Sequence, residues 1–412
     1  MIKRFFTNPD TIQRMHEGPL GHYIDDYVAL LDEQGYSRQS ACSQTRLVAD
    51  LSRWLHRQGF EANDINEQTI DMFLRDREQH LRLRRGDRYT LNKLLDHLRK
   101  MGIVEDKLPP TKTSDGQDLE DDFKRYLLQE RGLSQATVVN YIPFIRKFLL
   151  ERFDTDTILF GELRPADITE FVKNHAYDLS HGRARLMVTA LRVFLWYLRY
   201  RKHIIVDLAA CVPAVANWQL SALPKFLQPE QVQDVLKHCY RQSSIGRRNY
   251  AILLLLARLG FRACEVVALR LEDIDWQNGH INIRGKGGQL ACFPLPHDVG
   301  ESVAAYLQNG RPRCSTRRVF VRHKAPLRGF ANSSTISSIV QRALERAGVN
   351  SHCKGAHLFR HTLATEMLRQ GASLAEIGEL LRHRSPETTM IYAKVDVKAL
   401  RALAQPWPGD QL

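Results

Sequence analysis

The sequence contains few cysteines, and none of them is paired at a metal-binding or redox spacing. Seven cysteines are spread over 412 residues, and no Cys-x-x-Cys pair occurs among them. An odd, dispersed set is typical of reduced thiols, which argues against a secreted disulfide scaffold and predicts a cytoplasmic location. His352 and Cys353 are adjacent, but no further ligand follows at a spacing that suits zinc. We therefore expect no metal and no cofactor.

Long apolar runs and an acidic balance are also missing. The longest apolar run, Ala251–Ala257, is far shorter than the roughly 20 residues of a membrane-spanning helix. The N-terminus lacks the apolar segment of a signal peptide. Lysine and arginine number 59 against 46 acidic residues, which gives a net charge of +13. This excess favours a polyanionic partner over a membrane, and 43% hydrophobic content with regular helical periodicity predicts packed domains.

The N-terminal half shows the same helical plan twice. Residues 20–104 carry apolar side chains at helical spacing in four segments, and residues 119–205 repeat this pattern. Gly35-Tyr36-Ser37 corresponds to Gly132-Leu133-Ser134, and later apolar positions recur at nearly the same offset. The stretch between the copies, with Pro109-Pro110, is typical of a linker. An internal duplication is one interpretation; two unrelated amphipathic bundles are the other.

Chemistry-bearing residues concentrate near the C-terminus. Residues 357–370 are predicted as one helix ended by Gly371, with His357, Arg360 and His361 on one face. A second helix is expected from Ser373. A third is expected to open at Ser385-Pro386 and to carry Tyr392.

Two upstream segments accompany this C-terminal set. An apolar helix ends at Gly260, and Arg262 and Glu265 then open a short helix, three residues apart. Lys286 lies in a glycine-rich turn between two strand-like runs, 280–284 and 289–294, which predicts a β-hairpin with the lysine at its tip.

Taken together, these residues resemble the tyrosine recombinases, the family of phage integrases and Xer-type recombinases. The family pattern is an arginine with a nearby acidic residue, a hairpin lysine, His-x-x-Arg, a second histidine or tryptophan, and a tyrosine. The positions that match it in order are Arg262, Glu265, Lys286, His357, Arg360, His383 and Tyr392. The resemblance covers residues 223–400 and, more weakly, 117–205. One position departs from the pattern, because Arg382 stands where the family usually has glycine.

The resemblance implies a role for each of these residues. Arg262 and Arg360 would grip the non-bridging oxygens of a DNA phosphate, since guanidinium groups bind oxyanions in a bidentate manner. Tyr392 would be the nucleophile, His357 its proton acceptor and Lys286 the general acid. His383 would add a hydrogen bond to the phosphate. Glu265 would orient Arg262 or His357 in support, and His361 is expected to be structural.

The expected fold is multidomain and mainly α. Two helical bundles of the SAM-like, core-binding type precede an α+β catalytic domain with a small three-stranded antiparallel sheet. The expected boundaries are 1–108, 117–208 and 224–412. A short helix at 397–404 would form a tail that docks on a neighbouring subunit.

The expected partner is double-stranded DNA at a recombination site, bound by a homo-tetramer, with sister recombinases left open. Basic side chains near the last helices of both bundles are candidates for phosphate contacts. They are Arg82, Arg84, Arg85, Arg183, Arg185, Arg192, Arg199, Arg201 and Lys202.

Three other functions remain open from the sequence. The chain could be a degenerate recombinase that only binds DNA, a type IB topoisomerase-like enzyme, or a telomere resolvase. Its length and repeated N-terminal half favour a mobile-element integrase over a chromosome-dimer recombinase.

Overall fold

Contacts between Cα atoms divide the chain into two compact units. One unit joins Met1–Val104 with Leu220–Leu412, and the other is Glu105–Gln219. No described helix has the length and apolar character to cross a membrane. The computed structural model describes residues 2–105, 115–153, 158–216, 223–285, 290–351, 353–383, 385–395 and 400–401.

The first 104 residues fold around a core of their own. Ser37 caps the third helix with its side chain, and Gly59, in the left-handed conformation, ends it. The buried core includes Tyr27, Leu51 and Phe73. The helices of this part are α1 (Pro9–Met15), α2 (Ile24–Glu33), α3 (Arg38–Gln58), α4 (Glu67–His80) and α5 (Asp87–Lys100).

The second unit is also helical and packs around aromatic side chains. Phe123, Phe148 and Phe194 are fully buried in it. A π-helical turn, Tyr126–Glu130, continues its first helix. The helices are α6 (Asp115–Arg125), α7 (Gln135–Arg152), α8 (Pro165–Ala176) and α9 (His181–Tyr200).

The two helical parts share their order of elements. Ser37 and Ser134 cap corresponding helices, α3 and α7, with their side chains. Gly35 and Gly132 precede these caps with φ of +73° and +60°, a backbone conformation that favours glycine. A duplication of one unit stays a prediction, and the shared order supports it.

The C-terminal part contains the predicted small sheet and further helices. Strands β1 (Ile274–Asp275), β2 (His280–Arg284) and β3 (Leu290–Pro294) pair antiparallel in that order. Six consecutive apolar residues of the second helix in this part, 251–256, are buried, so that helix forms the centre of the core. The helices are α10 (Pro229–Lys237), α11 (Ser244–Leu259), α12 (Ala263–Ala268), α13 (His297–Asn309), α14 (Ser334–Arg346), α15 (His357–Arg369) and α16 (Leu374–Leu381).

The prediction of a third α-helix from Ser385 is wrong. Two 3₁₀ turns, Pro386–Thr388 and Met390–Val395, occupy this stretch. Their backbone bonds span three residues, as from the Tyr392 amide to the Thr389 carbonyl. Thr389 is buried and its hydroxyl is bound to His383, which holds the chain in the tighter winding.

Several predicted features lie outside the described residues. These are the hairpin tip with Lys286, most of the linker that contains Pro109-Pro110, and nearly all of the tail.

The first helical part contacts the C-terminal part directly. The Leu327 amide donates a hydrogen bond of 2.8 Å to the Gln34 carbonyl. Gly35 follows in a left-handed conformation, and a Cβ there would lie 2.3 Å from Leu327 Cδ1. Residues 1–104 therefore belong to the same compact unit as the C-terminal part. The three predicted domain boundaries stay predictions.

Candidate active site

Two arginines from distant parts of the chain meet at one turn. Arg360 lies on α15 and is 3% exposed. Its Nη1 donates to the Gly260 carbonyl at 2.7 Å, and its Nη2 donates to the Leu381 carbonyl. Arg262 Nη2 donates to the carbonyls of Leu381 and Arg382, at 3.4 and 3.2 Å. Since these carbonyls end α16, the negative end of that helix holds both cations.

The arginines use only part of their hydrogen-bonding capacity on the protein. A guanidinium carries five N–H donors in a fixed plane. The bonds of Arg360 to Gly260 and Leu381, and those of Arg262 to the turn, leave further donors on each group. The pair can therefore bind an oxyanion without giving up the contacts that position it.

Glu265 joins Arg262 to a third arginine. The carboxylate is 2% exposed. Its Oε1 accepts from Arg262 Nη1 at 2.9 Å, while Oε2 accepts from the Arg262 amide at 2.7 Å and from Arg382 Nη2 at 2.9 Å. The Arg262 amide bond is part of the capping box that opens α12.

Arg382 occupies the position where the family pattern has glycine. Its φ of +54° and ψ of +51° put it in the left-handed region. The guanidinium lies 4.8 Å from the centre of the Phe293 ring and 5.6 Å from that of Phe261. The ion pair with Glu265 and these cation–π contacts offset the backbone strain.

The site carries a net positive charge that little solvent screens. One carboxylate, Glu265, faces the cations Arg262, Arg360 and Arg382. Burial, followed by Arg262 and Arg382, lowers the pKa of Arg360 to about 10, so this side chain is still protonated at neutral pH. A buried excess of positive charge is costly alone and favours the arrival of an anion.

Tyr392 is buried beside this cluster. The side chain is 1% exposed, and burial raises the pKa of its hydroxyl to about 12 against the opposing effect of Arg360. The ring stacks parallel to His383, with centroids 6.5 Å apart and planes at 7°. His383 Nδ1 in turn lies 2.7 Å from the Thr389 hydroxyl.

His361 contacts the tyrosine hydroxyl. Its Nδ1 lies 2.9 Å from Tyr392 Oη. The sequence analysis treated His361 as structural and therefore missed this contact. The position of His361 on the same helix face as His357 and Arg360 could have indicated it. His357, the predicted proton acceptor, is exposed, and its ring centre lies 6.5 Å from that of His361.

The structure thus brings together most of the residues singled out from the sequence. Lys286 lies outside the described part of the chain. Among the described residues, no group of three histidine, cysteine or carboxylate side chains is arranged to hold a metal ion. The gathered residues are Arg262, Glu265, His357, Arg360, His383 and Tyr392.

Comparison with known proteins decides the family. The model of the phage integrase family matches residues 225–399. A Sinorhizobium fredii protein described as an integrase/recombinase, y4rA, is 46% identical over 409 residues, which is 99% of both chains. Tyrosine recombinase XerD of Mycobacterium tuberculosis is 31% identical over 69% of this chain and 94% of its own length.

The chain is a tyrosine recombinase. The recombinase therefore acts on DNA in site-specific recombination, as its family does. Its fold matches that of XerH recombinase bound to a palindromic difH substrate after cleavage, with a TM-score of 0.56, 19% identity and coverage of 82% of this chain and 94% of that one. The mainly helical fold with a three-stranded antiparallel sheet is confirmed in this way.

Several basic side chains of the recombinase that were predicted to contact DNA are engaged within the protein. Arg199 pairs with Asp207, and Arg201 pairs with both Asp122 and Glu130. Arg192 donates to the Val212 carbonyl, Arg84 to the Ser43 hydroxyl, and Arg183 lies over the Phe144 ring. The predicted side chains that are exposed and have no ion pair, hydrogen bond or ring contact with another described residue are Arg82, Arg85, Arg185 and Lys202.

Proposed function

We propose that this recombinase cleaves and rejoins DNA strands through a 3′-phosphotyrosyl intermediate formed by Tyr392. The observation that carries the proposal is the burial of Tyr392 beside two arginines that share one turn. A phosphodiester placed on Arg262 and Arg360 would lie next to the phenol. The net positive charge of the cluster would stabilise the charge that develops on the pentacoordinate phosphorus.

The other predicted residues complete the reaction. His383 would donate a hydrogen bond to a non-bridging oxygen. Burial, Arg360 and Arg262 lower its pKa to about 4, so the imidazole is neutral at pH 7, and a neutral imidazole still carries one N–H that can donate. Lys286 would protonate the leaving 5′-oxygen. Glu265 would keep Arg262 in place through its two carboxylate oxygens.

The phosphotyrosyl bond conserves the energy of the phosphodiester. A 5′-hydroxyl of a second strand can therefore reverse the attack without ATP, and the arginines supply the charge stabilisation that a metal would otherwise give. The proposed assembly is a homo-tetramer that exchanges two pairs of strands through a Holliday junction. Contacts with the DNA backbone are assigned first to the unpaired cations Arg82, Arg85, Arg185 and Lys202.

The test is a covalent trap with a tyrosine variant. We expect Tyr392→Phe to bind DNA as wild type does and to form no covalent complex, because only the hydroxyl is removed. Both proteins are incubated, without magnesium, with nicked fragments of the DNA that flanks the gene, and SDS-resistant complexes are separated on a gel. Cleavage by Tyr392→Phe would exclude this nucleophile. Tight binding by wild type without any covalent band would favour a protein that only binds DNA.

A further inference from the structure

The phenol of Tyr392 is hydrogen-bonded to an imidazole that the family pattern leaves without a catalytic role. His361 Nδ1 lies 2.9 Å from Tyr392 Oη, within the usual length of such a bond. The two ring centres are 5.7 Å apart with planes at 59°, so the histidine does not stack on the phenol but meets it at the hydroxyl. His361 lies one residue after Arg360 on α15, and α15 packs against the 3₁₀ turn of Tyr392.

The protonation states of the two partners fit a phenol that donates to a free imidazole nitrogen. Burial, and then the nearby His357 and Arg360, lower the pKa of His361, so the ring is neutral at pH 7. Burial raises the pKa of Tyr392 to about 12, so the phenol keeps its proton at rest. A neutral histidine has one nitrogen that donates and one that accepts.

The charged and titratable groups around His361 come from three elements. His357 and Arg360 flank it on α15, His383 approaches from the turn after α16, and Tyr392 faces it from the 3₁₀ turn. Before DNA arrives, the neighbouring cation and imidazoles oppose protonation of His361. A phosphate anion bound by Arg262 and Arg360 would cancel part of this opposition and increase the basicity of the ring.

We propose that His361 is the general base that accepts the phenolic proton of Tyr392, a role that the sequence pattern gives to His357. The proposal rests on Tyr392 being the nucleophile. As the bond from Oη to phosphorus forms, the phenolic proton moves to Nδ1 of His361. The bond from phosphorus to the 5′-oxygen breaks, and that oxygen takes a proton from the general acid. In the rejoining step the 5′-hydroxyl attacks phosphorus, and His361 returns its proton to the departing phenol.

This assignment gives His357 a different task. Its ring is exposed and stands one helical turn before His361, on the same face as Arg360. An exposed histidine beside the arginine pair suits contact with a phosphate oxygen of bound DNA. Loss of His361 should therefore remove the proton acceptor, whereas loss of His357 should remove a phosphate contact. The two histidines can be compared as a matched pair in one experiment.

The experiment compares His361→Asn with His357→Asn in the full chain. Asparagine can still hydrogen-bond to the phenol, but it cannot accept its proton. Single-turnover formation of the covalent complex is followed on nicked DNA from the segment flanking the gene. We expect His361→Asn to keep the Tm and the DNA affinity of wild type and to cleave ~10²-fold more slowly, the usual size of a general-base contribution.

A more acidic nucleophile distinguishes a His361 that acts as a base from a His361 that only makes a structural contact. Tyr392 is replaced by 2,3,5-trifluorotyrosine, whose phenol ionises near neutral pH and has little need of a base. We expect this replacement to restore most of the cleavage rate to His361→Asn and to give His357→Asn no such recovery.

Each outcome bears on one assignment. The proposal would be overturned if His361→Asn cleaved DNA at the wild-type rate, or faster, which would mark His361 as a restraint on the tyrosine. It would also be overturned if 2,3,5-trifluorotyrosine restored the cleavage rate of both histidine variants equally. Cleavage by Tyr392→Phe would instead reject the nucleophile, and with it the proposed function. If His361→Asn fails to fold, His361→Gln is measured in its place.

Discussion

Arg382 combines a strained backbone with a buried ion pair. A left-handed conformation costs a residue with a side chain about 1–2 kcal/mol relative to glycine. Its guanidinium offsets this cost by pairing with Glu265 and packing on Phe293 and Phe261. Its Nε and Nη1 are buried and have no hydrogen-bond partner among the described residues, so part of its donor capacity is unused in the site.

We predict that Arg382→Gly separates stability from catalysis. The glycine relieves the backbone, so the Tm should change by only a few degrees. The buried Glu265 loses a partner and the site loses a positive charge, so single-turnover cleavage should fall ~10-fold, the equivalent of about 1.4 kcal/mol. The cleavage rate of Arg382→Lys, which keeps the charge, should lie between those of wild type and Arg382→Gly.

Lys202 provides a matched control for stability. Among the described residues other than glycine, Lys202 and Arg382 have a positive φ, which is +63° for Lys202. Lys202 is exposed. Lys202→Gly should raise the Tm slightly, because it relieves the same strain and breaks no buried pair. Cleavage by Arg382→Gly at the wild-type rate would show that Arg382 does not position the site.

The sequence named most of the residues that the structure brings together at the candidate active site, but it did not predict the contacts between them. The resemblance of Arg262, Glu265, His357, Arg360 and Tyr392 to the family pattern, in the same order, was sufficient to name them as candidates. The bond between His361 and Tyr392, and the carboxylate shared by Arg262 and Arg382, depend on how α15, α16 and a 3₁₀ turn meet. That meeting is a long-range property, and no local pattern encodes it.

At the scale of elements, the turn between α11 and α12 provides one of the two backbone carbonyls that hold Arg360. Gly260 has φ of +59°, and a Cβ added there would lie 3.0 Å from Leu381 and 3.1 Å from Leu363. Its carbonyl accepts from Arg360. The turn therefore needs glycine both for its backbone and for the close approach of α15 and α16.

We predict that Gly260→Ala weakens both the fold and the reaction. The strained backbone and the crowding of Leu363 and Leu381 should cost about 1–3 kcal/mol of unfolding free energy. The displaced carbonyl should move Arg360 and slow cleavage. Urea unfolding and single-turnover cleavage measure the two effects.

Gly279→Ala is the matched control, since Gly279 has φ of +66° and no atom within 4 Å of an added Cβ. It should lose stability through its backbone alone and keep its cleavage rate. Equal effects on cleavage in both variants would argue against a special role for the Gly260 turn.

Element boundaries were predicted best where a local signal marks them. Gly260, Gly371 and Ser373 mark helix ends that the structure shows within one or two residues. The stretch from Ser385 was misassigned because Ser-Pro-Glu opens α-helices and 3₁₀ turns alike. The tertiary bond from Thr389 to His383 selects the 3₁₀ turns, and it is not visible in the sequence.

At the scale of the whole molecule, half-buried histidines make stability depend on pH. Burial and Arg248 lower the pKa of His323 to about 4, and burial with Arg360 and Arg262 does the same for His383. An unfolded histidine titrates near 6.5. Between pH 6.5 and 4 the unfolded state binds more protons, so stability is complete above pH 6.5 and is lost as the pH falls toward 4.

We predict a measurable loss of stability by pH 5. Partial solvent contact of both rings reduces the combined effect to about 2 kcal/mol, or a fall in Tm of ~2–4 °C. Thermal unfolding at pH 7.5, 6 and 5 tests this. His323→Gln should flatten the profile, whereas a change at the exposed His280, made as His280→Gln, should leave it as in wild type. A flat wild-type profile would contradict the prediction.

The organisation of the N-terminal half was predicted only in part. Helical periodicity predicted most helices of residues 20–104 and 119–205, but α1 was not predicted, and the contact between Gln34 and Leu327 has no local signal. Contacts between segments almost 300 residues apart depend on surface shape, which amphipathic patterns do not specify.

The turn that ends α16 also has a consequence for the safety of the genome. Arg262 and Arg360 both depend on the carbonyls of residues 381 and 382 for their placement, and His383 follows directly. A molecule that is nicked or misfolded at this turn therefore loses backbone acceptors of both arginines at once, and each keeps only its second anchor, Glu265 for Arg262 and the Gly260 carbonyl for Arg360. If the two arginines bind the scissile phosphate as proposed, such a damaged copy would fail already at cleavage, and it would not open a chromosome without resealing it.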